Sequence, residues 1–481
     1  FFLERYIVKP RHIEVQILAD QFGQVIHLGE RECSIQRRYQ KIIEETPSTT
    51  LNEEQRRQIG EWACLLAREA GYINAGTVEF VLDREGRFYF LEMNTRLQVE
   101  HPVTEMVTGL DLVELQLRIA DGEPLPLKQS EVPCKGWAIE ARICAEDPLR
   151  EFLPDTGLII RYALPRGKNI RLDSGIEAGS LISVYYDSLL AKVVSWGESR
   201  EEARETLVQG LNGYHLEGVT TNSDFINAIL THPAFIAGDL STDFVAEHFE
   251  KGRRKLAPPA EVLHHMIIAA TLIYHNRNGL VRESLKSMAT HVGLTPKIPE
   301  WVEYMVKAED DLFTIRIFKK SLNREWAAWV DGEKYQVKTP EFEFFRRRLR
   351  LKIDDKAPMF RLQYQGNFIR TSYNGVVRTF EIYTPREWRL SQYMPRPKEA
   401  AAENYLSCPM PGLVVTILAK PGNRVFQGQD LVSIESMKME SFVASPCDGE
   451  VDRVLVRPGQ AVETGEVLLT FKNDPSCGEP R

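Results

Sequence analysis

A lysine between two methionines is the first residue that could do chemistry: Lys438, in the stretch IESMKMES at positions 434 to 441. Taken alone, this stretch predicts only a charged residue on a mixed surface. The segments on either side are two halves of one repeat, so Lys438 lies where the crossing chain must turn back. A lysine at a hairpin tip exposes an amine with no partner, and Lys438 is therefore predicted to be a site of covalent attachment.

The repeat has a constant offset of 37 residues, since Gly412 matches Gly449 and Pro421 matches Pro458. Each half consists of short alternating apolar strands with a Pro-Gly turn and a second glycine turn, which is too little chain to close a core. Two such halves can pack against each other. The sequence therefore predicts a small all-β sandwich around Lys438.

Two acids and an amide form a second candidate site. The segments GTVEFVLD and RFYFLEMN alternate as strands joined around Glu85 and Gly86, and this turn pairs positions whose numbers sum to 171, so Glu79 faces Glu92. Facing carboxylates repel each other, and a hard divalent cation such as Mg²⁺ would resolve the conflict. Asn94, on the same strand face, can supply another oxygen. The alternative is a solvated pair of surface acids.

The residues after this pair extend the polar cluster, and the chain now resembles a known family. The run EMNTRLQVEHPVTE (92 to 105) is accompanied by RHIEVQILAD (11 to 20), ERECSIQRRYQKIIEE (30 to 45) and EARICAEDP (140 to 148). These four motifs resemble the biotin carboxylase component of biotin-dependent carboxylases, an ATP-grasp fold. The likeness runs through most of residues 1 to 250.

The Lys438 region resembles the biotinyl carrier domain of the same enzymes. Its PMPG stretch at 409 to 412, the Met-Lys-Met tip and the paired Pro-Gly turns carry that likeness. The resemblance implies that biotin is attached to Lys438 by a biotin protein ligase. A lipoyl carrier is the nearest rival, but its lysine usually follows Asp rather than Met.

The resemblance also implies nucleotide and metal ligands. Glu79, Glu92 and Asn94 would hold Mg²⁺ or Mn²⁺ ions that bridge the phosphates of ATP. Further positions match family residues that contact the nucleotide: Glu4, Ile7, His12 and Gln36.

The remaining site residues are implied for bicarbonate and biotin. Bicarbonate would be bound by Arg96, Gln98 and Val99. Lys41 would add positive charge near the reacting phosphoryl group, and Glu100 would deprotonate bicarbonate for attack on ATP, giving carboxyphosphate. Arg142 would stabilise the ureido oxygen of biotin as it develops negative charge.

Two departures from the family weaken the catalytic expectation. Tyr39 stands where the family usually has histidine in QRRHQK, and a tyrosine cannot carry positive charge near a phosphate. The glycine-rich lid and the ATP-binding lysines of the family would lie upstream of FLERYI, at the start of this chain. We therefore expect an N-terminally truncated fragment that, as given, hydrolyses ATP poorly.

The elements that position these residues can be predicted in outline. NEEQRRQIGEWACLLAREAGY predicts a helix capped by Asn52 and stopped by Gly71, with an apolar stripe of Ile59, Trp62, Ala63, Leu66 and Ala67. EVLHHMIIAATLIYH predicts a second helix, followed from about residue 311 by alternating strands that are typical of an antiparallel barrel or sandwich.

The predicted architecture is multidomain. It comprises the C-terminal part of an ATP-grasp biotin carboxylase (1–250), a docking domain of one helix and an antiparallel β-barrel (251–394), a Pro/Ala-rich linker (395–404), the biotinyl sandwich (405–473) and a tail (474–481).

The length of the middle segment limits which half-reactions this chain can catalyse. About 150 residues separate the two recognised ends, whereas a (β/α)₈ carboxyltransferase barrel needs roughly 250. The second half-reaction is therefore expected on a partner carboxyltransferase β subunit, and the helix-plus-barrel segment resembles the β-docking (BT) domain of acyl-CoA carboxylase α subunits. PMPGLVVTILAKPG and a predicted strand end at TPREW (384 to 388) favour propionyl-CoA over 3-methylcrotonyl-CoA carboxylases.

Composition excludes other classes of partner. The net charge of −8, from 60 basic and 68 acidic residues, predicts binding to neither nucleic acid nor membranes, and no apolar run approaches a bilayer-spanning length. Seven scattered cysteines without CxxC spacing favour a reducing compartment. The expected location is the bacterial cytoplasm, or the mitochondrial matrix in a eukaryote, in a hetero-oligomer.

Two other functions stay open. The chain could be a non-catalytic biotin carrier and β-subunit scaffold, or an ATP-grasp ligase of unrelated substrate with a fused lipoyl-like module. Streptavidin blotting would separate the last from the other two, and bicarbonate-dependent ATP hydrolysis would separate the carboxylase from the scaffold.

Overall fold

The structure is a computed structural model, and it describes residues 6–165, 167–250, 253–254, 257–289, 301–320, 324–343, 347–394, 404–437 and 439–472. Glu4, Lys438, the predicted tail and nearly all of the predicted linker lie outside these residues. Within the described part of the chain, none of the helices has both the length and the apolar character required to cross a bilayer.

The first part of the chain is built on one eight-stranded antiparallel sheet, in the order β11-β13-β6-β3-β2-β1-β4-β5. The strands of this part are β1 (Arg11–Ala19), β2 (Val25–Arg37), β3 (Gln40–Thr46), β4 (Asn74–Leu82), β5 (Phe88–Asn94), β6 (Trp137–Cys144), β7 (Glu146–Asp147), β8 (Leu153–Pro154), β9 (Gly157–Leu158), β10 (Arg161–Ala163), β11 (Ile170–Ser174), β12 (Leu181–Ile182), β13 (Leu189–Gly197), β14 (His215–Glu217), β15 (Phe249–Glu250) and β16 (Arg253–Arg254). The helices are α1 (Glu53–Glu69), α2 (His101–Thr108), α3 (Leu112–Ala120), α4 (Arg200–Gly213), α5 (Ser223–Leu230), α6 (Pro233–Ile236) and α7 (Phe244–His248). The sheet presents the candidate site residues of β1, β3, β4, β5 and β6 to one cavity.

Helix α1 confirms the predicted cap and corrects part of the predicted apolar stripe. Asn52 and Gln55 form a reciprocal capping box, and Ile59, Ala63 and Ala67 are buried as predicted. Trp62 and Leu66, however, are 40% and 39% exposed. The buried face is rotated toward the small residues of the helix, because these allow α1 to lie close to β1 and β2.

The middle part is a nearly closed antiparallel barrel around one long helix. Its sheet has the order β21-β23-β24-β25-β17-β18-β19-β20-β22, and the strand that ends one edge is followed after one residue by the strand that ends the other. The elements are α8 (Ala260–Ala289), β17 (Val302–Ala308), β18 (Asp311–Lys319), β19 (Glu325–Val330), β20 (Glu333–Lys338), β21 (Arg348–Arg350), β22 (Lys352–Ile353), β23 (Met359–Gln365), β24 (Phe368–Tyr373), β25 (Val376–Tyr383) and α9 (Pro385–Ser391).

The barrel core explains why α8 has an uninterrupted apolar run at positions 266 to 270. Residues Met266, Ile267, Ile268 and Leu272 are all fully buried in the same cluster as strand residues such as Phe360. A helix that is apolar all round is buried all round. The predicted helix-plus-barrel fold is thus confirmed.

The segment TPREW was predicted to end a strand, and this prediction is wrong. Thr384 and Glu387 form a capping box that begins helix α9, with Pro385 in its first turn. The capping box and the proline both favour the start of a helix, so the chain begins α9 instead of continuing strand β25.

The last part is the predicted β-sandwich of two four-stranded sheets, β26-β33-β31-β28 and β30-β29-β27-β32. Its strands are β26 (Tyr405–Ser407), β27 (Gly412–Ile417), β28 (Arg424–Val425), β29 (Asp430–Ser436), β30 (Met439–Ala444), β31 (Gly449–Val454), β32 (Ala461–Val462) and β33 (Val467–Phe471). Strands β27, β28 and β29 begin 37 residues before β31, β32 and β33. The repeat read from the sequence is therefore a repeat of structure, and we call this part the carrier sandwich.

A glycine turn joins the barrel to the first part of the chain. Gly375, with φ of +75°, follows Asn374 in the β24–β25 turn. Asn374 exchanges hydrogen bonds with Asn212 of α4, at 2.7 and 3.0 Å. A Cβ added to Gly375 would lie 2.1 Å from the backbone nitrogen of Ala228 in α5. The close approach leaves space for glycine alone.

Replacement of this glycine tests the contact. Gly375→Ala should lower the urea midpoint more than Gly366→Ala, a matched turn glycine with φ of +59° and no atom within 4 Å of its added Cβ. Both variants incur about 1–2 kcal/mol of backbone strain, and overpacking against α5 adds about 1–3 kcal/mol for Gly375→Ala alone. Equal midpoints in urea unfolding would contradict the close packing.

Candidate active site

The described residues that were predicted for the site all line one cavity of 1370 Å³. They come from the segment before β1, from strands β1 to β6 and from the segment between β5 and α2, and they are Ile7, His12, Gln36, Lys41, Glu79, Glu92, Asn94, Arg96, Gln98, Val99, Glu100 and Arg142. Glu4 and Lys438 lie outside the described residues. The structure thus brings together residues that are up to 135 positions apart, Ile7 and Arg142, in one place.

Glu79 does pair with Glu92, but through a different hairpin from the predicted one. Near the turn, Phe80 pairs with Phe90 and Leu82 with Phe88, so the numbers of paired residues sum to 170 rather than 171. The turn is longer than two residues, since the backbone N–H of Asp83 donates to the carbonyl of Arg87. A bulge between Glu79 and Phe80 then shifts the register by one. The predicted pair is correct, whereas the predicted two-residue turn at Glu85 and Gly86 is wrong.

The facing acids have a third polar neighbour. Asn94 donates through Nδ2 to Glu79 Oε1 and to Glu92 Oε1, each at 3.1 Å. The oxygen and nitrogen of an amide exchange places by rotation, so the same side chain can offer an oxygen to a cation. Two carboxylates and an amide on neighbouring strands form a donor set that suits Mg²⁺.

Lys41 is the charge that holds the acids of the cavity together. Its Nζ donates to Glu14 at 2.6 Å, to Glu100 at 2.6 Å and to Glu79 at 3.2 Å. Burial alone would lower the pKa of Lys41, but the three carboxylates outweigh burial and raise it above its ordinary value. Lys41 therefore stays protonated, and it carries a fixed positive charge inside the cavity.

A bulge in β3 brings Lys41 to this position. Ile35 of β2 pairs with Ile43, whereas Gln36 pairs with Lys41, so Ile42 is an extra residue in the ladder. In a regular strand without a bulge, Lys41 and Glu44 are three positions apart and would lie on opposite faces of the sheet. With it, both contact the acid and guanidinium groups of the site.

Arg31 and Glu14 support the cavity and were missed by the sequence analysis. Arg31 is fully buried on β2 and donates to Glu14 as well as to Gln16, Thr77, Gln98 and Thr104. Burial would raise the pKa of Glu14, but the charges of Arg31 and Lys41 lower it to about 2. The polar residues at alternate positions of RHIEVQILAD were the available signal, because β1 is buried on both faces.

Gln98 and Val99 lie in the segment that connects β5 to α2. Gln98 accepts from Arg31 and donates to Glu79 at 2.6 Å, and the carbonyl of Val99 accepts from Lys192 at 2.8 Å. Lys192, on β13, was not predicted from the sequence. Arg96 is exposed to the cavity beside this segment. The Arg96 guanidinium donates through Nη1 to the carbonyl of Leu97 at 3.2 Å, and its exposed remainder can bind a small anion together with this segment.

Glu100 lies between two cations. It accepts from Lys41 through Oε1 at 2.6 Å and from Arg142 through Oε2 at 2.8 Å. Arg142 also donates through Nε to Glu44, whose pKa burial raises to about 7 against the opposing charge of Arg142. A carboxylate in this position can take a proton from a ligand in the cavity, and Arg142 can face the negative charge that develops nearby.

Tyr39 lies at the rim. Arg37 pairs with Gln40, so Arg38 and Tyr39 form a two-residue turn in which both have positive φ, the geometry of a type I′ hairpin. The Tyr39 side chain is 96% exposed and lines the cavity opening.

The carrier sandwich contacts the first part of the chain at this cavity. Ser436 pairs with Met439, so the β29–β30 hairpin turns at Met437 and Lys438. Met437 is only 3% exposed. Its backbone N–H donates to the carbonyl of Val184 at 3.2 Å. The side chain packs in an apolar socket, which we call the Met437 socket, formed by Ala145, Ile159, Ile182, Leu190 and Val219.

Two further contacts hold the carrier sandwich there. Arg150 donates through Nη2 to the carbonyl of Pro409 at 3.0 Å, and Leu153 packs against the core of the sandwich. Met437 and Glu440, which flank Lys438 and Met439 in the sequence, line the same cavity as Glu100 and Arg142. The β29–β30 hairpin therefore borders the cavity that contains these acidic and basic side chains.

Three family models match the chain. The ATP-binding domain of the carbamoyl-phosphate synthase L chain matches residues 1–128, the biotin carboxylase C-terminal domain matches 140–247, and the "biotin-requiring enzyme" model matches 404–471. These matches agree with the predicted ATP-grasp and biotinyl-sandwich parts, and the barrel lies between the matched ranges.

Curated relatives and solved structures agree with these matches. The propionyl-CoA carboxylase alpha chain of Ruegeria pomeroyi is 38% identical over 470 residues, which cover 91% of this chain and 66% of that protein. The mitochondrial methylcrotonoyl-CoA carboxylase subunit alpha of Dictyostelium discoideum is 34% identical, over 91% of this chain and 63% of that protein. This chain therefore spans less than two thirds of the length of these relatives.

A similar solved structure is the biotin carboxylase domain of the 2-oxoglutarate carboxylase from Hydrogenobacter thermophilus, in complex with MgADP, ADP and bicarbonate. It is 45% identical with a TM-score of 0.51, covering 53% of this chain and 56% of that chain. At 45% sequence identity, the similarity extends to the sequence as well as to the fold.

The lowered pKa of Glu14 predicts an acid-sensitive site. A carboxyl whose pKa falls from 4.5 to about 2 on folding stabilises the folded state above pH 4.5, and that stabilisation is lost as the pH falls toward 2. Glu14→Gln should therefore lose less unfolding free energy between about pH 6 and pH 3 than the unsubstituted protein, by about 2 kcal/mol.

Urea unfolding at a series of pH values measures this difference. Glu53→Gln, at an exposed acid in the first turn of α1, is the matched control and should keep the original pH dependence. An identical pH dependence in Glu14→Gln and the unsubstituted protein would show that Glu14 is not held ionised by Arg31 and Lys41.

Proposed function

Because this chain belongs to the family of biotin-dependent carboxylases, as a relative of the acyl-CoA carboxylase alpha chains, we propose that it carboxylates biotin carried on Lys438. ATP and bicarbonate would be the substrates. The carboxyl group would then pass to a separate carboxyltransferase β subunit that acts on an acyl-CoA.

One observation carries this proposal: the lysine-bearing hairpin of the carrier sandwich contacts the cavity that contains Glu100 and Arg142. Met437 fills the Met437 socket, and Met437 and Glu440 line the cavity itself. A carrier docked elsewhere on the surface would have no access to these groups. A scaffold without catalysis would require no such contact.

The chain's own residues fit the proposed chemistry. Glu100 would take the proton of bicarbonate, whose oxygen would attack the γ-phosphorus of ATP and displace ADP, giving carboxyphosphate. Lys41 would offset the negative charge of the reacting phosphoryl group from its fixed position among the acids. Arg96, Gln98 and Val99 would orient the bicarbonate, and Ile7, His12 and Gln36 would contact the nucleotide.

The cofactors fit the residues that are present. Glu79, Glu92 and Asn94 would hold Mg²⁺ or Mn²⁺, which supplies positive charge between the ATP phosphates. Biotin on Lys438 would supply the ureido nitrogen that takes up CO₂ from carboxyphosphate, and the phosphate released with the CO₂ would accept the proton that the nitrogen loses. Arg142, which donates to Glu44 and Glu100, would face negative charge on the ureido oxygen.

The partner and acyl group are proposed from the relatives. The relatives include alpha chains of propionyl-CoA carboxylases and of a methylcrotonoyl-CoA carboxylase, and we favour propionyl-CoA with 3-methylcrotonyl-CoA as the alternative. The helix-plus-barrel part would dock the β subunit in a hetero-oligomer, and a biotin protein ligase would modify Lys438. The bacterial cytoplasm is the favoured location, and the mitochondrial matrix is the alternative.

Attachment of biotin is tested by intact mass. Protein co-expressed with a biotin protein ligase should gain the mass of one biotin, and Lys438→Ala should gain none. Lys420→Ala, at an exposed lysine elsewhere in the carrier sandwich, is the matched control and should gain the same mass as the unsubstituted protein.

Either of two results would count against the proposal. No gain of mass in the unsubstituted protein would exclude a biotin carrier and favour the unrelated ligase with a lipoyl-like module. Biotinylation without bicarbonate-dependent ATP hydrolysis would instead favour the carrier and scaffold.

A further inference from the structure

A second acid lies buried beneath Arg142 and takes no part in the contacts described so far. Glu140, two residues before Arg142 on β6, has no solvent exposure. Neither of its carboxyl oxygens has a hydrogen-bond partner among the described residues. Buried polar groups are nearly always hydrogen-bonded, so two orphaned oxygens on one side chain need an explanation.

Glu140 faces another acid with an orphaned oxygen. It is the direct cross-strand partner of Glu44 on β3. Directly opposed residues of an antiparallel pair have Cβ atoms roughly 5 Å apart, which is within reach for two glutamate side chains. Glu44 accepts from Arg142 Nε through Oε1, whereas its Oε2 also has no partner in the described part of the chain.

The charges around Glu140 do not compensate it. From β3 and the segment before α2 it faces the acids Glu44 and Glu100, and the nearby cations are Arg142 on its own strand and Lys192 on β13. Lys192 is bonded to Val99 and Asp173. Arg142 bonds Glu44 and Glu100. Both cations are therefore already paired.

An ionised Glu140 would be costly in this environment. An unpaired buried charge is disfavoured by several kcal/mol, and a group in that position takes up a proton instead. Burial and the charge of Glu44 raise the pKa of Glu140 well above its ordinary value. One proton on Glu140 would provide a hydrogen-bond donor between Glu140 and the oxygen of Glu44 that has no partner.

We propose that Glu140 is a positioning residue for Arg142, because it holds a proton and donates it in a hydrogen bond to the free oxygen of Glu44. Glu44 is thereby fixed, and its other oxygen fixes the guanidinium through Nε. When Glu140 is neutral, Glu44 is the one negative charge beneath Arg142. Less of the positive charge of Arg142 is then offset, and more of it acts on the cavity. The effect on catalysis rests on the proposed role of Arg142. The presence of a proton on Glu140 is independent of that role.

Infrared difference spectroscopy tests the proton directly. The carbonyl stretch of a protonated carboxylic acid should be present at neutral pH in the unsubstituted protein and should be lost in Glu140→Gln. Glu45→Gln removes another buried acid, but one that Arg200 and Trp137 already pair, so this control should keep the band. A difference spectrum of Glu140→Gln without this band would overturn the proposal.

Kinetics of bicarbonate-dependent ATP hydrolysis test the positioning role. Glutamine is neutral and can donate to Glu44, so kcat of Glu140→Gln should stay within about threefold of the original, with its pH profile unchanged. Glu140→Leu removes the donor and should lower kcat by about tenfold with little change in KM for ATP.

Opposite results are informative. Equal losses of kcat in Glu140→Gln and Glu140→Leu would show that a charged Glu140 is needed, and would overturn the proposal. If Glu140→Leu does not fold, the spectrum and pH profile of Glu140→Gln still decide. A protein with no ATP hydrolysis would contradict the proposed function, but the infrared result would stand on its own.

Discussion

Lys41 is the charge on which the site depends. It lies between three carboxylates, Glu14, Glu79 and Glu100, that would repel one another without it. Removing one member of such a buried set typically costs about 3–5 kcal/mol, because an uncompensated charge is left in a medium of low dielectric. The bulge at Ile42, the buried Arg31 and the bulge beside Glu79 are all features that bring side chains to this one cation. Apolar packing of the sheet against α1 supports the arrangement from the opposite face.

Several features of the fold could be predicted, because they follow directly from patterns in the sequence. The repeat of 37 residues gave the carrier sandwich, and Asn52 gave the start of α1. Register was harder. Glu79 was matched with Glu92 through a turn that is too short, and only a compensating bulge made that match correct. Bulges insert single residues that have no signature in strand alternation.

Contacts over long sequence separations could not be predicted in the same way. Lys192 reaches Val99 across 93 positions, and Arg31 of β2 bonds residues of two other strands, β1 and β4, and of helix α2. Competing local signals misled the prediction elsewhere. The capping box of Thr384 and Glu387 begins a helix where a strand end was predicted, and the small residues of α1 are buried in preference to Trp62.

The contact of the carrier sandwich with the first part of the chain is small. One buried methionine contributes about 1.5–3 kcal/mol, and the two hydrogen bonds from Met437 and Arg150 add about 1 kcal/mol each. Such a contact is strong enough to orient the hairpin at the cavity, and it is weak enough to be reversible, as the proposed carrier role requires.

Transfer of label from bicarbonate to the protein tests this account most directly. The initial rate of ATP-dependent incorporation of labelled carbon into biotinylated protein should fall by about tenfold in Met437→Gln, because the polar side chain cannot fill the Met437 socket. Phe426→Gln, at an exposed residue of the carrier sandwich away from the hairpin tip, should incorporate label at the original rate. Equal rates in all three proteins would show that the socket does not deliver the carrier to the cavity.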